Sequence, residues 1–120
     1  MKLLTKEIHE RLIKNGRLRQ QMAESNAPAE PDFPPVVKLF TPDAGATWLL
    51  SEIDPDDADR CFGLCDLGLG MPELGYVSLS ELAALRGKLG LPVERDLYFT
   101  PTKSLSAYAE EARAHGSIKA

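Results

Sequence analysis

The stretch MPELGYVSLSEL, residues 71–82, changes its period half-way along. Pro72 and Gly75 shape a turn. Val77 and Leu79 then alternate with Tyr76 and Ser78, which gives a short strand with one apolar and one mixed face. Ser78 with Glu81 forms the S-x-x-E pattern that caps a helix, and Leu79, Leu82 and Leu85 or Leu89 repeat at helical spacing behind it. A strand that runs straight into a capped helix predicts a mixed fold, and Gly87 and Gly90 are the expected stops of that helix.

Upstream, VVKLF (36–40), TWLLSEI (47–53) and RCFGLCDL (60–67) are further β-prone runs. TPDAGA, DPDDAD and GLGMPE separate them with turn chemistry, and connections this short favour antiparallel neighbours, since a parallel crossover needs a dozen or more residues. Gly63 leaves open a second arrangement, in which RCFGLCDLG curls into a bulged edge. Downstream, DLYF (96–99) reads as a last short strand ended by Pro101, and SLSAYAEEARAHG as a helix capped by Ser104 or Ser106 and stopped by Gly116.

At the other end, Thr5 caps a first helix. Leu4, Ile8, Leu12 and Met22 form a thin apolar stripe on it, and Gly16 is a place where it would break. SNAPAEPDFPP (25–35) is an extended proline-rich connector. The fold class expected is α+β: an antiparallel meander sheet of four to five short strands with an N-terminal helix and two C-terminal helices, packed to one side of the sheet. The chain reads as a single domain over 1–120, divided into an N-terminal helix (1–24), the connector (25–35) and the α+β core (36–120).

The 120 residues are 43% hydrophobic and 27% charged, the composition of a globular domain that needs no metal or cofactor to hold its core. No apolar run approaches the roughly 20 residues of a membrane span, and charges at Lys6, Glu7, Glu10 and Arg11 interrupt any signal-peptide segment. A cytoplasmic location is expected. Cys61 and Cys65 lie about 13 Å apart on one strand, too far for a disulfide, and read as small buried hydrophobes. The net charge of −4 divides into +3 over residues 1–27 and −7 over the rest. An acidic body repels a phosphate backbone and argues against nucleic acid as a partner.

No motif of strong chemistry is present. In GLGMPELG, Gly68 and Gly70 are not followed by a third glycine opening a helix and Pro72 interrupts, so it is no dinucleotide loop; there is no phosphate-loop or zinc-ligand spacing, and His9 and His115 have no nucleophile elbow to serve. What remains are carboxylates at strand ends. If Glu52, Asp66, Glu73 and Asp96 share one sheet edge, they form a candidate cleft for a hard cation or an acid/base pair, with Arg95 beside them to bind an anion. Trp48 and Tyr76, read on one sheet side, are a candidate interaction surface.

Three blocks together, VVKLFTPDAGATWLLSE (36–52), PELGYVSLSEL (72–82) and GLPVERDLYF (90–99), resemble a bacterial domain-of-unknown-function family of small single-domain proteins, common on conjugative plasmids and other mobile elements. The resemblance implies a prokaryotic accessory factor of mobile DNA and carries no catalytic residue, cofactor or substrate with it. The expected function is a non-enzymatic accessory or interaction protein with a protein partner. The alternatives are a small metal-dependent hydrolase or nuclease using the clustered carboxylates, and nucleic-acid binding through Lys6, Arg11, Lys14, Arg17 and Arg19 of the first helix.

Overall fold

The computed structural model describes residues 3–120. Helix α1 (Lys6–Glu24) is capped by Thr5, whose side chain accepts from the Ile8 N–H, and it leads through the connector to strand β1 (Val37–Phe40). Strands β2 (Thr47–Asp54), β3 (Asp57–Asp66) and β4 (Glu73–Ser78) follow. Then come helix α2 (Leu79–Ala84), a two-residue strand β5 (Glu94–Arg95) and helix α3 (Leu105–His115). All pairings are antiparallel, in the order β4-β3-β2-β1-β5. The expected meander is there, with β5 added beyond its first strand.

Several expectations need correction. DLYF is not a strand: Glu94 and Arg95 pair with Phe40 and Leu39, and the chain leaves the sheet at Asp96, whose carboxylate accepts the Tyr98 N–H and turns it. Helix α2 ends at Ala84 with Leu85 as its extended cap, before either glycine stop, and Arg86 bridges to Pro92 instead of continuing the helix. The acidic turn shrinks to Pro55 and Asp56, since Asp54 already pairs with Asp57. One register shift falls in β2, between Leu50 and Glu52, and a second between Ile53 and Asp54, opposite the start of β3, while residues 60–65 of β3 stay paired with β4 without a break.

Nor do the helices share one side. Leu12 of α1 and Leu82 of α2 pack with Val37, Leu39, Trp48, Leu50, Ile53 and Cys61 on one face. Leu105, Tyr108, Ala109 and Ala112 of α3 pack with Leu49 and Leu64 on the other. The reason lies in TWLL: four consecutive positions cannot all point one way in a strand, so burying them requires cover on both faces. Each of these large apolar side chains contributes roughly 1.5–3 kcal/mol by leaving water, so the sheet is held from two sides.

Helix α1 runs unbroken through Gly16. Strand β1 covers β2 only as far as Leu50, and α1 docks against the part that extends further. There Asn15 donates to the Ser51 carbonyl, and Gly16 approaches the Ile53 carbonyl so closely that an added Cβ would stand 1.8 Å from the oxygen. Gly16 is a contact surface. The connector is tied down as well: the Phe33 carbonyl accepts the Leu105 N–H, and Asp32 accepts from the Ser106 N–H and hydroxyl at the start of α3. No helix among the described residues is long and apolar enough to cross a membrane.

Candidate functional site

Glu52 is buried where β2 emerges from its bulge, and Arg19 of α1 meets it, Nε to Oε2 at 2.7 Å. The same guanidinium donates to the Pro31 carbonyl and lies 5.8 Å from the Phe33 ring centre. One cation thus joins helix, sheet and connector. The hydrogen bond that Arg19 donates to Glu52 is the main cause that raises the Arg19 pKa above its ordinary value. Glu52 Oε1 is buried without a hydrogen-bond partner.

Asp66 is also buried, at the last position of β3. Its Oδ1 accepts the Gly68 N–H at 2.8 Å and its Oδ2 the Ile118 N–H at 3.0 Å. With both oxygens held by backbone donors, Asp66 fastens the root of the 67–71 loop to the segment that follows α3.

Glu73 and Arg95 answer the question of convergence. The register aligns Glu73, Cys65, Trp48, Leu39 and Arg95 in one row across the five strands. At about 4.8 Å per strand, the ends of that row are roughly 19 Å apart. Glu73 is exposed at one sheet edge, while Arg95 at the other donates to the Leu3 carbonyl at 2.9 Å. Asp96, next in sequence, sits 3.4 Å from Lys38 Nζ. Asp66 belongs to the row of Thr47, Phe40 and Glu94, on the opposite face from Glu73, and Glu52 is five positions further along β2, about 17 Å away.

The expectation of one carboxylate cleft is therefore corrected: Glu52, Asp66, Glu73 and Asp96 occupy separate places because alternation and strand order separate them. Among the described residues no group of three or more His, Cys, Asp or Glu stands close enough to hold a metal ion. Only Arg95 and Asp96 of the five come together. They border an open groove of about 510 Å³, floored by Lys38, Phe40 and Thr47 and walled by Ala44–Ala46 and Leu97–Tyr98.

Trp48 and Tyr76 do not share a surface. Trp48 is buried with α1 and α2, whereas Tyr76 lies in the row of Glu52 and Phe62, on the other face. Its ring packs edge-on against Phe62, with Arg60 stacked 3.8 Å from its centroid. Half of Tyr76 remains exposed on β4, the outer strand, and the loop before that strand is more open still: Leu67, Leu69 and Met71 are 60%, 79% and 72% exposed. With Leu74 they are the exposed large apolar side chains of the loop and the start of β4, the loop itself lying beside Gly45 and Gly116.

Residues 3–119 match the family described as protein of unknown function (DUF2958). The chain belongs to the DUF2958 family. The comparisons with curated proteins and with solved structures gave no match.

In this DUF2958 domain the residues that sequence reasoning missed are Leu67, Leu69, Met71 and Asp43, and Arg19, read there as part of a basic face, is instead the partner of Glu52. The first three stand in GLGLGM-type sequence, DLGLGM, where glycines interleaved with large apolar residues support neither helix nor strand, and that was the available signal of an exposed loop. Asp43 leaves no such trace. Its Oδ2 accepts the N–H groups of Leu89 and Leu91 and so pins the loop after α2. Burial pushes the thiols of the DUF2958 domain up, Cys61 to about 12 and Cys65 to about 11, which disfavours the thiolate at neutral pH.

Proposed function

We propose that this DUF2958 protein is a non-enzymatic accessory protein of a mobile genetic element that acts by binding another polypeptide. The observation that carries the reading is the exposure of Leu67, Leu69, Met71, Leu74 and Tyr76 on the 67–71 loop and the open strand β4. Exposed apolar surface beside an open strand costs solubility and marks interaction sites in soluble domains. The acids that would have made an active site support the same reading, since Glu52 and Asp66 are spent on holding α1, the connector and the loop root. The association with mobile DNA rests on the resemblance of the blocks at 36–52, 72–82 and 90–99 to proteins common on conjugative plasmids.

Arg19 is withdrawn from the basic face of α1 by its ion pair with Glu52, which leaves Lys6, Arg11, Lys14 and Arg17 interspersed with Glu7 and Glu10. That face is a poor match for a phosphate backbone.

Affinity capture from a bacterial lysate tests the reading when the wild type is paired with the double variant Leu69→Asp, Met71→Asp. Both side chains are largely exposed, so folding is expected to be unchanged and the captured polypeptide lost. Equal capture by both proteins would place the binding surface elsewhere.

A further inference from the structure

The open edge is self-complementary, and we infer that its partner is a second copy of this chain, joined β4 to β4 across a two-fold axis into a continuous ten-stranded sheet. The inference rests on the interaction reading above and names the polypeptide. Among the described residues the β4 end of the sheet offers the longer open strand: β5 is 2 residues long, whereas β4 offers 6 with neither proline nor lysine among them. Short strands, prolines and lysines are the devices by which natural sheets blunt an edge, and β4 has none of them.

The register follows from the faces. Leu74 and Tyr76 lie on the face of Leu64 and Phe62, while Glu73, Gly75 and Val77 lie on the face of Cys65, Gly63 and Cys61. Directly opposed residues in an antiparallel pair point to the same side, so the two-fold must pass through a residue opposed to its own copy. With Gly75 at the axis, each Leu74 meets the other copy's Tyr76, and each Glu73 meets the other's Val77. Both Leu–Tyr pairs are favourable and no like charges are opposed. Moving the axis to Tyr76 sets the two tyrosines together and leaves Leu74 against Ser78. Moving it to Leu74 brings Pro72, which has no N–H to give, two residues from the axis against Tyr76, where the Gly75 register leaves it at the outer end against Ser78. The Gly75 register also carries Met71 of one copy toward Leu79 of the other, at the start of α2, so the apolar loop gains cover.

Size and charge define the strength. The six residues of β4 with Met71 make a smaller contact than the roughly 800 Å² per partner of a standard interface. A contact of that size fits a reversible, concentration-dependent dimer. Since each copy carries −4, screening is expected to tighten the dimer between low and physiological salt.

Sedimentation across micromolar to millimolar concentration, on the full chain, reads the equilibrium, and the variant Gly75→Cys reads the register. An added Cβ at Gly75 meets nothing within 4 Å, so the variant is expected to fold as the wild type does. Mild oxidation should convert more than half of it to a covalent dimer at concentrations where the wild type dimerises, while wild type, with both thiols held protonated, forms none. Met71→Lys, at an exposed position, should weaken the dimer at least tenfold. A wild type that sediments as a monomer throughout, or a Gly75→Cys variant that does not cross-link where the wild type is dimeric, overturns the proposal. Monomeric behaviour together with loop-dependent capture of a different protein would also overturn it, while leaving the interaction reading in place.

Discussion

Gly16→Ala is expected to destabilise the fold by about 3 kcal/mol or more, although the same change in an isolated helix would stabilise it by about 1 kcal/mol. The two effects oppose each other, and the close approach decides the sign. The new Cβ would stand 1.8 Å from the Ile53 oxygen and 3.0 Å from its carbon. Those are backbone atoms of a strand paired with β3 at the same residue, so they cannot move aside as a flexible side chain would. Helix α1 must lift instead, which also loosens Leu12 from its cluster and Asn15 from the Ser51 carbonyl. Urea or thermal denaturation measures the outcome, with a midpoint lower by on the order of 10 °C. A Gly16→Ala protein as stable as the wild type would show that α1 does not rest on β2.

Arg19→Met has the next largest effect, because it leaves Glu52 buried without its cation. Breaking a buried pair by removing one member costs roughly 3–5 kcal/mol, and the partial exposure of Arg19 discounts this to about 2–3 kcal/mol. Glu52 makes the loss severe: its side chain is 7% exposed, and its second oxygen has no hydrogen bond to fall back on. Adding Glu52→Gln should recover more than half of the loss, since a neutral amide no longer carries an unpaired charge. Denaturant titration of wild type, both single variants and the double variant supplies the coupling energy. Additive losses would mean that Arg19 and Glu52 act independently, and Glu52 would again be a residue kept for chemistry.

Much of the architecture was legible. Thr5, Ser78 and Ser104 each cap the helix they announce, because a side-chain oxygen three residues before a free N–H is a local arrangement that sequence spacing fixes. Gly116, in the left-handed region, stops α3 for the same local reason. The meander followed from turn chemistry and short connections. What was not legible depends on contacts distant in sequence. The pairing of Leu39 with Arg95 and the docking of Gly16 on Ile53 join positions that no local pattern relates. Gly16 therefore reads as a helix breaker until the strand beneath it is known.

The candidate site was legible in its residue types and not in their placement. Glu52, Asp66, Glu73 and Asp96 all stand at or near strand ends, as the sequence says, but strand ends occur on two faces and at two edges. Assigning them to one cleft needs the strand order and the register, and β5 supplies the decisive step by placing Arg95 at the far edge from Glu73. Tyr76, read with Trp48 as a candidate surface, is half-exposed on β4. Trp48 was misplaced beside it, since a bulge and a strand buried on both faces break the simple alternation.

Amide hydrogen exchange, followed segment by segment as the protein concentration is raised, tests the central claim most directly: the function of this chain lies on the β4 edge and the 67–71 loop. In dilute solution the outward amides of residues 73–78 should exchange rapidly. On concentration, protection should grow across 67–78 and stay unchanged over 13–21 and 94–98. Protection that grows along α1 or beside β5 while the β4 edge remains open would contradict the account.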